Sequence, residues 1–92
     1  MGNFAPTAYL TPDVEVAVKQ HKANDEEDEH FHKIATEVNV ILSGDVEFNG
    51  EILQAGDIVV VEPNESVKFK AKTDSILVVV KIPGASNDKY LT

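Results

Sequence analysis

Apolar and polar residues alternate along most of this chain with a period of two, which is the pattern of β-strands with one buried face. The clearest case is SVKFKAK at 66–72, where the three lysines share one face and Val67, Phe69 and Ala71 share the other. No stretch has convincing helical periodicity. The segments predicted as strands are 14–18, 36–44, 45–53, 56–63, 66–72 and 75–83. The pattern therefore predicts an all-β protein, an antiparallel sandwich or barrel.

Turn residues and chain length complete the predicted architecture. Asn49-Gly50 lies between two short β-prone runs and predicts a type I′ hairpin, because both turn residues must adopt positive φ. The run 75–83, SILVVVKIP, is almost continuously apolar, which predicts a strand covered on both faces. The 92 residues fit a single domain, 1–92. We expect its core at about 13–83 and irregular arms at about 1–12 and 84–92.

Composition and charge exclude several classes of function. The net charge is −8, and all eight basic residues are lysines. Such a chain is not suited to nucleic acid, which is bound by basic surfaces. There is no cysteine, so no thiolate ligand exists. No apolar run is long enough for a membrane helix, and the start MGNFAPTAYL lacks the features of a signal peptide. We therefore expect a soluble cytoplasmic protein with no membrane partner.

The segment NDEEDEHFHKIATE, 24–37, holds the candidate chemistry. Its spacing is His30-x-His32-x4-Glu37-x6-Gly44. Residues i and i+2 of a strand face the same way, so His30 and His32 can point together. Glu37 lies at an odd spacing and requires a turn within KIAT to join them. Two imidazoles and a carboxylate suit a divalent Fe, Mn, Ni or Zn ion. The acidic run 25–29 is predicted to be a solvated, mobile loop whose field attracts cations.

This spacing resembles the first motif of the cupin superfamily, G-x5-H-x-H-x3–4-E-x6-G, with Asn24 at the opening glycine. The second cupin motif is matched less well. Gly56 and Pro63 fit with one extra residue between them, and the histidine position falls on Val67 or Lys68. The resemblance implies a double-stranded β-helix, a small jelly-roll barrel that is often dimeric. It also implies a metal held by three His and one Glu.

The fourth ligand of that set is missing from this sequence. Three ammonium groups inside a small barrel would be very costly to desolvate, so the lysines of 66–72 are predicted to face solvent. Val67 then takes the inward position, and valine cannot bind a metal. We expect a three-ligand site or an inactive one. His21 is the only other histidine, and it could reach the site only from the N-terminal arm.

Three further polar residues are candidates for a substrate pocket. Asn39 shares a face with Glu37, Glu62 ends the run IVVVEP, and Lys81 interrupts an apolar run. Lys81 is expected to pair with Glu62 or Glu37, because a charge among apolar neighbours needs a partner. Glu62 and Lys81 are also the candidates for a catalytic role.

Two classes of function remain open at this point. The first is a metal-binding module with a polar pocket for a small neutral or cationic molecule, or a metal-free relic of one. The second is a metal-dependent enzyme of isomerase or dioxygenase type, and the sequence does not choose a reaction. A homodimer is expected in either case, because the apolar faces exceed what one small barrel can cover.

Overall fold

The computed structural model describes residues 1–3, 7–84 and 88–91. These residues form nine strands and no helix, so none of them belongs to a helix that could span a membrane. The strands are β1 (Glu15–His21), β2 (Glu26–His32), β3 (Thr36–Ser43), β4 (Val46–Phe48), β5 (Glu51–Leu53), β6 (Ile58–Val61), β7 (Val67–Ala71), β8 (Ser75–Ile82) and β9 (Lys89–Leu91).

The strands form two antiparallel sheets that face each other, as the all-β prediction requires. One has four strands in the order β1-β8-β3-β6, and the other has five in the order β5-β4-β7-β2-β9. Both sheets contribute to the core between them, which is formed by Ile41, Val46, Phe48, Val61, Val67, Phe69, Ala71 and Leu77. This burial of apolar area is the main stabilising contribution to the fold.

Two local predictions are confirmed. Asn49 and Gly50 have φ of 51° and 85° and join β4 to β5, as a type I′ hairpin requires. In β7, Val67, Phe69 and Ala71 are buried. Because side chains alternate, the lysines of this segment lie on the outward face.

The prediction of a loop at 25–29 is wrong, because most of the acidic run belongs to β2. The strand pairs through its backbone with β7 and β9. Its carboxylates also lie near lysines: Lys70 Nζ on β7 is 3.8 Å from Glu26 Oε1, and Lys19 Nζ on β1, in the other sheet, is 3.8 Å from Glu27 Oε1. These pairs offset the repulsion among the acids, although each exposed pair contributes little.

Two further expectations need correction. The C-terminal arm contains a strand, β9, which pairs with β2 and places Lys89 opposite His32. Residues 85–87 of that arm lie outside the described residues. Strand β8 is well covered on one face only: Leu77 and Val79 are buried, whereas Val78 and Val80 on the other face are partly exposed.

Candidate metal centre

A β-bulge turns both histidines of the motif into the interior. Along β2, Glu27 lies opposite Phe69 and His30 lies opposite Val67, so one strand has gained a residue between these pairs. The extra residue shifts the alternation of side chains along β2. Glu27 and His30 are three positions apart, yet both lie opposite inward-facing residues of β7. His30 and His32 are each only 4% exposed. The bulge therefore places two imidazoles inside the protein next to the valine that replaces the fourth cupin ligand.

Glu37 reaches these histidines from the opposite sheet. Strand β2 ends at His32 and β3 begins at Thr36, so the chain crosses between the sheets in three residues. His32 Nε2 and Glu37 Oε2 are 3.1 Å apart. The turn predicted within KIAT is confirmed.

Asp88, which sequence reasoning missed, holds that turn. Its Oδ1 accepts a hydrogen bond from Lys33 N at 3.0 Å, and its Oδ2 accepts from Ile34 N at 3.0 Å and Ala35 N at 2.9 Å. The Asp88 residue is only 4% exposed. Burial alone would raise the pKa of Asp88, but the three backbone N–H groups and the nearby His32 charge lower it. The carboxylate thus stays ionised and satisfies three amides of the crossing between the sheets.

The backbone sets the tautomer of both histidines. His32 Nδ1 lies 3.0 Å from the carbonyl oxygen of Asp88, and His30 Nδ1 lies 2.9 Å from that of Asp28. A carbonyl oxygen only accepts, so each Nδ1 carries a proton and donates. In the neutral ring, the free lone pair is then on Nε2, which is the tautomer that binds a metal through Nε2.

His32 Nε2 lies close to the Glu37 carboxylate without forming a hydrogen bond to it. The 3.1 Å separation is within ion-pair range, yet the two groups are not aligned for a hydrogen bond, and this buried nitrogen has no hydrogen-bond partner among the described residues. A neutral His32 would bring a lone pair against a carboxylate lone pair. A cation at this point, a proton or a metal ion, removes that repulsion.

Asn39 and Lys81 act on the same carboxylate. Asn39 is buried, and its Nδ2 donates to Glu37 Oε1 at 3.0 Å. Burial would raise the pKa of Glu37, but the contacts with His32 and Asn39 and the positive charges of His32 and Lys81 outweigh burial and lower the pKa to about 2. Glu37 is therefore ionised at neutral pH.

The structure places the other two candidate charges differently from the prediction. Lys81 pairs with Glu15, the residue opposite it on β1, with Nζ 3.7 Å from Oε2. The predicted partners were Glu62 or Glu37; Lys81 also lies opposite Glu37 on β3 and lowers the pKa of its carboxyl group, whereas Glu62 is not its partner. Glu62 is exposed and follows β6 on the outward face that carries Ile58 and Val60. This corrects its predicted place in the pocket.

A small interior cavity adjoins His30 and Glu37, and His32 is not among its lining residues. Its volume of about 20 Å³ is room for roughly one water molecule or one ion. The lining includes His30, Glu37, Asn39, Val67 and His21. His21 reaches it from β1, not from the N-terminal arm, and its ring packs on Phe69 with centroids 4.7 Å apart.

A second, wider surface groove of about 430 Å³ lies beside Gln20, Lys22 and Asp74. None of the three motif residues lines it, and it shares only His21 with the interior cavity. We therefore place the candidate site in the interior cavity.

Comparison with known proteins identifies the fold. No protein-family model and no curated protein matches the sequence. Among solved structures, the chain is similar to a double-stranded β-helix protein from Klebsiella pneumoniae, with a TM-score of 0.80 and 27% identity over 89% of this chain and 72% of that one. A cupin protein from Bacteroides fragilis has a TM-score of 0.64 and 27% identity over 85% of this chain and 72% of that one. This chain belongs to the cupin superfamily.

One further similarity concerns the fold alone. Pac13, a nucleoside dehydratase of Streptomyces, has a TM-score of 0.76 and 18% identity to this cupin, over 92% of this chain and 72% of that one. The expected cupin superfamily and double-stranded β-helix are confirmed by the two structures with 27% identity.

The cupin motif is assembled incompletely. Val67 faces inward opposite His30, as predicted, so the fourth ligand position is apolar. Within the described part of the chain, no three side chains of the metal-binding types are already arranged to hold an ion.

The lowered pKa of Glu37 predicts an acid-sensitive stability of the metal-free cupin. The folded-state value of about 2 lies below the ordinary 4.5, so ionised Glu37 stabilises the folded state above pH 4.5 and this contribution disappears as pH falls towards 2. The loss amounts to up to about 3 kcal/mol. Chemical denaturation at several pH values in the presence of a chelator measures it.

The control is the same substitution at an exposed acid of β2. Glu37→Gln should flatten the pH dependence between 4.5 and 2, whereas Glu26→Gln should keep the wild-type profile, because an exposed ion pair contributes little. Equal profiles for wild type and Glu37→Gln would refute the role assigned to this carboxylate.

Proposed function

We propose that this cupin binds one divalent metal ion through His30, His32 and Glu37, and that the metal site binds a small polar molecule. The observation that carries the proposal is the buried His32 Nε2, which faces an ionised carboxylate at 3.1 Å without a hydrogen bond. The backbone already presents Nε2 of both histidines as lone-pair donors.

The distance between the two donors also fits a metal. Two ligand atoms bonded to one ion at about 2.1 Å and at right angles to each other are about 3 Å apart. The observed separation of 3.1 Å is therefore compatible with both atoms binding one ion. Imidazole and carboxylate together suit Fe(II), Mn, Ni or Zn. Metal binding would replace a proton between His32 and Glu37, so the two cations compete.

The residues around the site would hold the Glu37 carboxylate in place and keep it ionised. When bound, the ion supplies a Lewis acid and open coordination positions. Asn39 holds Glu37 Oε1 in place through its Nδ2, and the charge of Lys81 keeps the same carboxylate ionised. The acidic residues of β2 around the site favour neutral or cationic ligands over anions.

The fourth ligand position favours a binding module over an enzyme. About 20 Å³ leaves room for an ion alone, so a small molecule bound to that ion, whether ligand or substrate, would require Val67 and Phe48 to move apart. The valine at the fourth ligand position is therefore the feature that favours binding over catalysis. The second candidate is a metal-dependent enzyme of isomerase or dioxygenase type. Lys81, whose positive charge acts on Glu37, would be its candidate catalytic residue. The dehydratase activity of Pac13 belongs to a protein with 18% identity, and cupin folds host many reactions.

Elemental analysis of protein purified without an affinity tag tests the proposal. We expect about one divalent ion per chain in the wild type and none in His32→Ala, since removal of one of three ligands should abolish tight binding. Glu26→Gln alters an exposed acid on the same strand and should retain the metal. If the wild type holds no stoichiometric metal after reloading with Zn²⁺, Mn²⁺, Fe²⁺ and Ni²⁺ in turn, the proposed metal site is wrong. The remaining hypothesis would then be a metal-free relic of a binding module.

A further inference from the structure

One acidic residue of β2 faces the interior cavity. Glu27 lies opposite the buried Phe69 of β7, and it lines the cavity together with His30 and Glu37. The bulge that follows Glu27 gives this residue and His30 the same inward side, although they are three positions apart. A second carboxylate therefore stands beside the candidate metal site, and the three-ligand site does not use it.

Glu27 is paired with a cation from the other sheet. Lys19 Nζ on β1 lies 3.8 Å from Glu27 Oε1, and both residues line the cavity. The Lys19 side chain is 42% exposed and that of Glu27 is 26% exposed. Because exposed ion pairs contribute little, the ammonium group can return to water at a small cost. The carboxylate thus has a partner that an incoming metal ion can displace.

The charges of a three-ligand site are not balanced. His30 and His32 would bind through neutral imidazoles, since each Nδ1 keeps its proton for a backbone carbonyl oxygen. Glu37 is then the one anion among the three ligands, and a divalent ion would keep one positive charge in the interior. Such a charge is costly to bury without a partner. A second carboxylate on the ion would cancel it.

We propose that Glu27 is the fourth ligand of the metal site, in the role that Val67 cannot fill. The inference rests on the three-ligand site of the proposed function. On metal binding, the Glu27 carboxylate would exchange the Lys19 ammonium group for the ion, and the lysine would turn to solvent. Four protein ligands complete a tetrahedral shell such as that of Zn²⁺. A six-coordinate ion would keep two positions for a small molecule.

His21 also lines the cavity, but it lies too far along β1 to join the same ion. Through strand β8 between them, Glu37 lies level with Glu15. The strand from Glu15 to His21 covers about 20 Å, at about 3.3 Å per residue. Glu27, in contrast, is the inward-facing residue that precedes His30 on β2. The carboxylate is therefore the better placed of the two groups.

Calorimetric titration of the full chain with Zn²⁺, after treatment with a chelator, tests the proposal. Glu27→Gln should lower the affinity for Zn²⁺ at least about tenfold. Glu26→Gln is the matched control, because Glu26 forms an ion pair of the same length, 3.8 Å, with Lys70 on the outward face. It removes the same charge from the same strand and should change the affinity by no more than about twofold.

Two further measurements separate a ligand from a nearby charge. At about 1 M salt the Debye length is about 3 Å, so a long-range effect of the Glu27 charge would fade, whereas the loss of a ligand should persist. Lys19→Gln should bind Zn²⁺ about two- to fivefold more tightly, because the carboxylate no longer has to release its lysine. Lys70→Gln should not. Circular dichroism checks that each variant folds.

The results that overturn the proposal also show which part of it is wrong. If Glu27→Gln binds Zn²⁺ as tightly as the wild type, or if its loss of affinity disappears at high salt, Glu27 is not a ligand and the three-ligand site stands. If the wild type takes up none of Zn²⁺, Mn²⁺, Fe²⁺ and Ni²⁺, the metal site itself is refuted, and the role of Glu27 with it.

Discussion

Asp88→Ala is expected to lower the free energy of unfolding by about 3 kcal/mol, measured by chemical denaturation at neutral pH. The side chain accepts hydrogen bonds from three consecutive backbone N–H groups, those of Lys33, Ile34 and Ala35. Removal of the carboxylate leaves these donors without their partner. Ala35 is buried, whereas Lys33 and Ile34 are exposed, and an unpaired buried donor costs roughly 1–3 kcal/mol. The loss in free energy of unfolding is smaller than the sum of three such costs, because water can hydrogen-bond to the exposed amides.

Asp57→Ala is the control for this prediction. Asp57 also caps a turn, through a single hydrogen bond from Gln54 N to its Oδ2 at 2.8 Å, but it is exposed. Its replacement should cost no more than about 1 kcal/mol. Asp88→Asn keeps one acceptor oxygen and should fall between the two alanine variants. Equal losses for Asp88→Ala and Asp57→Ala would show that burial of the cap is unimportant.

Gly44→Ala is expected to destabilise the protein by more than about 3 kcal/mol. Gly44 has φ of +82°, which a side chain adopts only with strain. An added Cβ would also lie 2.8 Å from the Cβ of Ser75 and closer still to the carbonyl oxygen of Asp74. The glycine that ends the first cupin motif is thus required both for its backbone conformation and for the close approach of β8.

Gly50→Ala separates these two effects. Gly50 has a similar φ of +85°, but nothing lies within 4 Å of an added Cβ. It should therefore lose only about 1 kcal/mol, the cost of the left-handed conformation. Thermal and denaturant unfolding of both variants measure the difference. If Gly44→Ala is no less stable than Gly50→Ala, the close approach at Gly44 is not as tight as the structure shows.

Much of the fold was predictable because its signals are local. Alternation in SVKFKAK determines which residues of β7 are buried, and Asn49-Gly50 determines the hairpin. The inward position of Val67 followed from the cost of burying lysines. Asn24, at the first glycine of the motif, has φ of 73°, a conformation that asparagine tolerates better than most residues.

The acidic strand could not be predicted, because its stability comes from distant residues. Nothing within the run 25–29 favours a strand. Its strand partners are β7 and β9, and the lysines that face its acids, Lys19 and Lys70, stand on β1 and β7. The bulge between Glu27 and His30 is also invisible to a period-two pattern, although it decides which side chains face inward.

The residues that form the candidate site were predicted from the sequence, but the contacts that hold them in place were not. His30, His32 and Glu37 follow from spacing, since the motif is contiguous. Asp88 lies 53 to 55 residues from the amides that it accepts from, in a tail with no regular pattern. A contact of that range leaves no signal in one sequence. Glu62 was misplaced because alternation alone does not say which face of β6 is inside.

An NMR titration of the metal-free protein with Zn²⁺, following the side-chain nitrogens of the three histidines, tests directly whether His30, His32 and Glu37 bind one ion. The Nε2 resonances of His30 and His32 should shift together and stop changing at one ion per chain, while each Nδ1 keeps its proton and donates it to its carbonyl partner. Glu37→Gln should weaken this response at least tenfold in affinity. Shifts confined to His21, or no saturable shift of His30 and His32, would contradict a metal site built from this motif.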